Sequence, residues 1–282
     1  MAQLPSVTIL GAGRMGQGLA LALRGREVSL VSRRRHPVAA PLQLYAGTRV
    51  DAVARALVLI LAVPDDAITP LATDLAAEGS VGPRHTVLHL SGLLGRGALF
   101  PLAPSGAALG SFHPLQTIAD PAAAPERLAG ANAGLEGDPR AIEIGGQLAQ
   151  ALGMVPVRLS AAGKAAYHAG AAMVANYTVA LFSVAERLAR DAGVPPETAA
   201  RLYLPLLGGV VANLESGAAA ALTGPVRRGD VQTIRAHLAV LSGADARLYR
   251  LLGAEALRLA RQAGLSPELA DRVEEALRER GV

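Results

Sequence analysis

Apolar residues along this chain recur in two rhythms. Up to residue 159 they come in short unbroken runs: "VTIL" (7–10), "VSLVS" (28–32), "ALVLILAV" (56–63), "TVLHLSG" (86–92), "ALGSF" (108–112), "ANAGLEG" (131–137) and "MVPVRL" (154–159). A strand covered on both faces gives a run of this kind, as in a parallel sheet. Helical stretches, such as those predicted over about 14–24 and 138–152, alternate with the runs, and that alternation predicts a doubly wound α/β sheet. Beyond Leu159 no strand-like run returns. Helices are predicted at roughly 161–192, 196–215, 230–241, 243–263 and 267–280, with Pro195, Pro196 and Pro267 near starts and Gly193 and Gly264 at ends. "APERLAGANAG" and "AALTGPVRRGD" read as loops. The expected plan is α/β then all-α: a doubly wound parallel sheet over 1–159 and a helical domain over 160–282.

The first run ends in "ILGAGRMG", which places Gly11, Gly13 and Gly16 in a G-x-G-x-x-G pattern. The motif follows a strand and opens a helix, the context in which it binds a dinucleotide. Gly11 permits the tight turn, Gly13 lets the backbone approach a pyrophosphate, and Gly16 lets helix pack on strand. The N–H groups of Ala12, Gly13, Arg14 and Met15 would then face phosphate oxygens. After the second run, where an acid would hold ribose hydroxyls, the chain has Ser32, Arg33, Arg34 and Arg35. These residues suit a 2′-phosphate, so the expected cofactor is NADP(H). Val63 and Pro64, just past the third run, are further cofactor contacts.

The composition narrows the remaining classes. Over 282 residues the net charge is only +4, and aromatics make up 3%. Stacking platforms are scarce, and nucleic acid is not an expected partner. There is no cysteine, hence no disulfide or zinc–thiolate site, and no metal is expected. The start of the chain lacks the features of a signal peptide. The apolar stretch 169–185 is short for a membrane span and carries Asn176, Tyr177, Thr178 and Ser183. It reads as a buried helix of a cytoplasmic protein.

Lys164 is the one lysine among 27 basic residues. An ammonium can lower its pKa and hand over a proton; a guanidinium effectively cannot. Lys164 and His168 are four apart and share a helix face. Asn176 is expected about 120° round, bordering that face. Ser91 and His113 fall where strands end, the ligand-binding edge of such sheets. His113 is open to a catalytic or a turn role. His89 reads as a satisfied core histidine, and His36 and His85 as surface residues. Asp230 reads as a helix cap, and Arg227 or Arg228 as a clamp for a substrate carboxylate.

With these residues the chain resembles the 6-phosphogluconate dehydrogenase-like superfamily, in which a Rossmann domain precedes a helical domain whose first long helix bears a lysine. "GSFHPLQT", "KAAYHAGAAMVANY" and "ALTGPVRRGD" are similar to a bacterial subfamily of Rossmann-like proteins with a helical C-terminal domain of unknown function. Some members of that subfamily look like alternative ketopantoate reductases. In several members of the superfamily Asn follows the lysine by four residues; here that place is His168. "HPLQT" also resembles the His-Pro turn of prephenate dehydrogenases. The resemblance implies an NADPH-dependent reductase of a small 2-oxo acid, and the long apolar helices suggest a homodimer through the helical domain. Lys164 would stabilise and protonate the alkoxide, with His168 orienting it or acting as a second donor. Ser91, His113 and Asn176 would position the substrate. Two alternatives stand beside this: an NADP-dependent dehydrogenase with His113 as base, and a non-catalytic NADP(H)-binding sensor.

Overall fold

A computed structural model describes residues 5–34 and 37–279. Arg35 and His36, named above, lie outside the described residues. The chain divides into two compact units, 1–177 and 178–282.

The first unit carries β1 (Val7–Leu10), α1 (Arg14–Ala22), β2 (Val28–Val31), α2 (Arg49–Arg55), β3 (Val58–Leu61) and α3 (Asp65–Ala77). There follow β4 (Thr86–His89), a 3-10 helix (Arg96–Ser105), β5 (Ala108–Pro114), α4 (Ala124–Leu128), β6 (Asn132–Gly137), α5 (Pro139–Ala151) and β7 (Val155–Arg158). The seven strands lie in the order β2-β1-β3-β4-β5-β6-β7. Each apolar run predicted as a strand is one. β1, β3 and β4 are buried at every position, which is why their sequences are unbroken rather than alternating. One apolar core lies on each face of the sheet.

The sheet is not parallel throughout. β6 runs antiparallel to β5, with His113 opposite Gly134 and Ser111 opposite Glu136, and β7 is parallel to β6. The reversal follows from "APERLAGANAG", which is not the loop expected. Asp120 accepts from the Ala122 N–H, Pro125 sits in the first turn of α4, and Ala124 and Leu128 are buried. Ala124 packs against Gly18 of α1, where a Cβ would come within 2.6 Å of it.

A helical stretch then runs from 161 to 191: a 3-10 turn, α6 (Lys164–Ala172), a π-helical segment (Met173–Tyr177) and α7 (Thr178–Asp191). The unit boundary therefore falls at 177/178 rather than at the expected 159/160, because α6 packs on the sheet through Lys164 and Tyr167. The apolar stretch 169–185 is not the buried helix expected. By length and composition the 31-residue helix could cross a membrane, and its apolar window is 0% buried within this chain.

The second unit continues with α8 (Pro196–Leu202), α9 (Leu204–Asn213), α10 (Ala218–Ala221), α11 (Gly224–Arg228), α12 (Val231–Val240), α13 (Gly243–Gln262) and α14 (Pro267–Arg278). "AALTGPVRRGD", read as a loop, holds the end of the short helix α10 and all of α11. Pro225 opens α11, buried Val226 anchors it, and Gly229 in the left-handed region ends it. Asp230 caps α12 as expected, accepting from the Thr233 N–H at 3.1 Å. Val226, Ile234, Leu257 and Val273 are among the residues of this unit's core.

Candidate active site

In an open α/β sheet a ligand sits beyond the strand C-termini where the chain switches direction across the sheet. Here β1 lies between β2 and β3, so the crevice opens where β1 and β3 end. The glycines stand there in three distinct situations. Gly11 has φ +121°, and a Cβ would lie 2.3 Å from the Ala62 carbonyl oxygen. At Gly16 a Cβ would lie 2.0 Å from the Gly11 carbonyl oxygen. Gly13 has ordinary angles (φ −69°) and nothing within 4 Å of a Cβ. The first two are required by the fold. Gly13 borders an open cradle at the positive end of α1, of the kind that takes a pyrophosphate. Arg14 is exposed beside it, and half-buried Met15 packs on the core.

The Gly11 N–H donates to the Val31 carbonyl at 2.8 Å, which brings the end of β2 alongside the loop. Ser32, Arg33 and Arg34 leave from that point, and both arginines are exposed. Val63 lies within 3.2 Å of a Cβ at Gly11, and Pro64 opens α3. All the expected cofactor residues therefore gather at one edge of the sheet.

A second group lies on one face of β4, β5 and β6. His89, Ser111 and Glu136 are neighbours in register across the three strands, and His113 is two residues beyond Ser111. α6 lies over this face. Lys164, 1% exposed, donates to the Ser111 hydroxyl at 2.8 Å and the Ser91 carbonyl at 3.2 Å. Burial lowers its pKa, while Glu136 and Asp65 oppose the shift. Tyr167 reaches His113, with its Oη 3.0 Å from Nδ1. The His168 ring meets the His113 ring edge to face at 5.6 Å. Two glycines make the approach possible. A Cβ at Gly92 would lie 2.4 Å from His168 Nδ1 and 2.9 Å from His113 Nε2. One at Gly134 would lie 2.9 Å from Tyr167 Oη.

His113, Tyr167, His168 and Asn176 line a cavity of about 480 Å³, together with Gln116 and Thr117. That is the size of a small-molecule site. Asn176 does more than border the face. The π-helical segment holds one residue beyond α-helical spacing, which sets later residues back by about 100° and turns Asn176 toward His168. Desolvation holds the His113 pKa down to about 4, helped by His168 and Lys164. Burial raises the Tyr167 pKa.

Several expected roles change. Lys164 is held under the cavity wall rather than on it, because its Nζ is drawn to the sheet. Ser91 cannot offer its hydroxyl to a ligand. It donates to Asp65 at 2.7 Å and accepts from the Leu93 and Leu94 N–H groups, so its carbonyl is what serves the site. Arg228 is exposed at the end of α11 in the second unit. His85 is not a surface residue: it is 3% exposed, its Nε2 3.2 Å from the Val53 carbonyl. His89 is a satisfied core histidine, as expected, with Nε2 3.0 Å from the Gly95 carbonyl. Its pKa is lowered to about 4, chiefly by burial. Sequence reasoning passed over Asp65, Ser111, Glu136 and Tyr167. Glu136 had a visible signal, a charge inside an apolar strand; it is 6% exposed and accepts from the Arg96 N–H at 2.7 Å. Among the described residues no cluster of three or more His, Asp or Glu side chains could hold a metal ion.

Residues 2–114 match a Rossmann-like domain, and residues 131–256 match DUF2520, a domain of unknown function. The chain thus combines a Rossmann-like domain with a DUF2520 domain. No curated protein matches it. Solved structures share the fold of this Rossmann–DUF2520 chain. Protein TM1727 from Thermotoga maritima is 23% identical with a TM-score of 0.67, over 91% of this chain and 98% of its own. Pyrroline carboxylate reductase from Plasmodium falciparum, solved with NADP bound, is 12% identical with a TM-score of 0.61, over 96% and 98%. The reductive aminase of Aspergillus terreus, in complex with NADPH and ethyl-5-oxohexanoate, is 20% identical with a TM-score of 0.56, over 98% and 93%.

Proposed function

We propose that this chain is an NADP(H)-dependent reductase of a small 2-oxo acid, ketopantoate being the leading candidate. Bound at the glycine loop, NADPH supplies the hydride. The observation that carries the reading is a desolvated lysine over β4 and β5, on the same sheet edge as an open glycine cradle followed by Ser32, Arg33 and Arg34. Lys164 sets a positive charge beneath the place where an alkoxide develops, and preorganised charge of this kind is usually the largest catalytic term. His113, His168 and Asn176 meet the substrate on the cavity wall. A histidine with a pKa near 4 is neutral at pH 7, so His113 would offer the substrate oxygen a hydrogen bond rather than act as a strong base. Names among the structural neighbours that specify NADP or NADPH agree with the cofactor.

The chain is further proposed to act as a homodimer through its helical part. Within the second unit Val179, Leu206 and Val211 are each more than 60% exposed, and large apolar side chains left uncovered in one unit support an interface there. Light scattering giving a monomer mass would end this part.

Calorimetry with NADPH and NADH, followed by NADPH oxidation against a panel of 2-oxo acids including ketopantoate, tests the reading. NADPH should bind more tightly, and Arg33→Asp should remove that preference. Absence of NADPH binding, or binding without turnover of any member of the panel, overturns the reductase assignment.

A further inference from the structure

Tyr167 and His113 form a closed pair. Their hydrogen bond is 3.0 Å long, the rings are perpendicular at 87°, and Gly134 leaves the space that the phenol oxygen occupies. Two arrangements are open: the phenol donates to Nδ1, or an Nδ1–H donates to the phenol. Burial keeps Tyr167 protonated and His113 neutral. A phenol O–H is the stronger donor of the two, and an imidazole nitrogen the stronger acceptor, so O–H···Nδ1 wins. The bond at one ring nitrogen decides where the proton sits on the other. The proton of His113 is then on Nε2.

That nitrogen lies over Gly92, where its neighbour is His168 Nδ1. Both approach the same point: 2.9 Å and 2.4 Å from a Cβ placed on Gly92. His168 Nδ1 is buried and has no hydrogen-bond partner among the described residues. An orphaned buried ring nitrogen next to a fixed donor calls for a ligand group that accepts from His113 and can either donate to or accept from His168. A hydroxyl does both. An alkylammonium, the form of an amine product at neutral pH, only donates and would leave Nε2–H without an acceptor.

We infer that Tyr167 is a positioning residue that locks His113 in the Nε2–H tautomer, and that this N–H and His168 Nδ1 together receive one hydroxyl oxygen of the ligand. This deepens the reductase reading on the ligand side and rests on it there. The tautomer lock stands on the contact between Tyr167 and His113 and does not need that reading.

The test is ¹⁵N NMR of protein labelled at histidine, with His113→Asn assigning the resonance. At neutral pH the wild type should show an unprotonated Nδ1 and a protonated Nε2 at His113. Tyr167→Phe, which keeps the ring and its packing, should replace that pattern with a tautomer average. A protonated Nδ1 in the wild type, or an unchanged pattern in the Phe variant, overturns the lock. With NADP⁺ present, lactate should shift the His113 Nε2–H resonance and alanine should not. Equal shifts, or no shift with lactate, overturn the hydroxyl assignment. If the lock is seen but NADPH oxidation is absent for every oxo acid, the reductase reading fails and the lock survives.

Discussion

Gly13 separates what the fold needs from what a ligand needs. Its backbone lies at φ −69° and ψ 179°, which any L residue adopts, and a Cβ there meets nothing within 4 Å. Gly13→Ala should therefore leave the fold almost untouched. Losing glycine at the start of α1 costs up to about 1 kcal/mol as a capping preference. Stiffening the unfolded chain returns about 0.4–1 kcal/mol. The melting temperature should stay within about 2–4 °C of the wild type. The new methyl would stand in the cradle and hold a phosphate away from the helix N–H groups. Loss of one charge-assisted hydrogen bond, ~1.5–3 kcal/mol, weakens binding roughly 10–150-fold. Gly16→Ala is the contrast, because its Cβ would lie 2.0 Å from a backbone oxygen. Strain of about 1–3 kcal/mol should lower its melting temperature before any cofactor is added. Calorimetry with NADPH and thermal melting of both variants make the comparison. A folded Gly13→Ala protein with wild-type NADPH affinity would refute the cradle.

Three further outcomes are expected. Lys164→Met should lower kcat by roughly 10²–10⁴-fold with NADPH still bound, and Lys164→Arg should fail to restore it, since a 1%-exposed site has no room for a guanidinium; wild-type kcat in the Arg variant would show that charge alone suffices and that the pocket is roomier. Gly92→Ala forces His168 and His113 off the sheet, so thermal melting should show a loss of about 1–3 kcal/mol, and kinetics a raised KM for the oxo acid; unchanged values would mean that the rings are not held there. His89 and His113 have pKa values near 4 against 6.5 when unfolded, so the unfolded chain binds the extra protons between those limits. Stability should be full above about pH 6.5 and fall as pH drops toward 4, by up to about 3 kcal/mol for His89 alone; a denaturation series flat across that window would contradict the burial of both rings.

The strands and the glycine loop were legible because their physics is local. A strand covered on both faces must be apolar at every position, and Gly11 must take a positive φ. The reversal at β6 was not legible, since it depends on how α4 packs against Gly18, a contact over 100 residues away in sequence. Lys164 was legible as unusual but not in its placement. Its Nζ is drawn to a carbonyl and a hydroxyl on two different strands, and no spacing within its own helix encodes that. Ser91 was read from its position at a strand end, correctly as a place and incorrectly as a free hydroxyl, because Asp65 and two backbone N–H groups take it up. His85 looked polar and peripheral beside "VGPR", yet the Val53 carbonyl draws it inside. Gly92 and Gly134 matter for what they leave out, and an absent side chain announces nothing in a sequence.

The π-helical segment at 173–177 makes helix winding, rather than residue identity, the sensitive variable at one wall of the cavity. It carries one residue more than an α-helix would between the same bearings, so deleting that residue would let the helix wind as an uninterrupted α-helix with Asn176 still on its bearing relative to His168. Tightening the segment to α-helical winding at full length would instead swing Asn176 away from His168 by up to about 100°, although no cavity residue had been substituted. Relatives of this chain that lack one residue between the lysine and the next helix can therefore present the same wall to the same sheet edge. An alignment that places such a gap outside the π-helical segment will pair residues that do not face the same ligand.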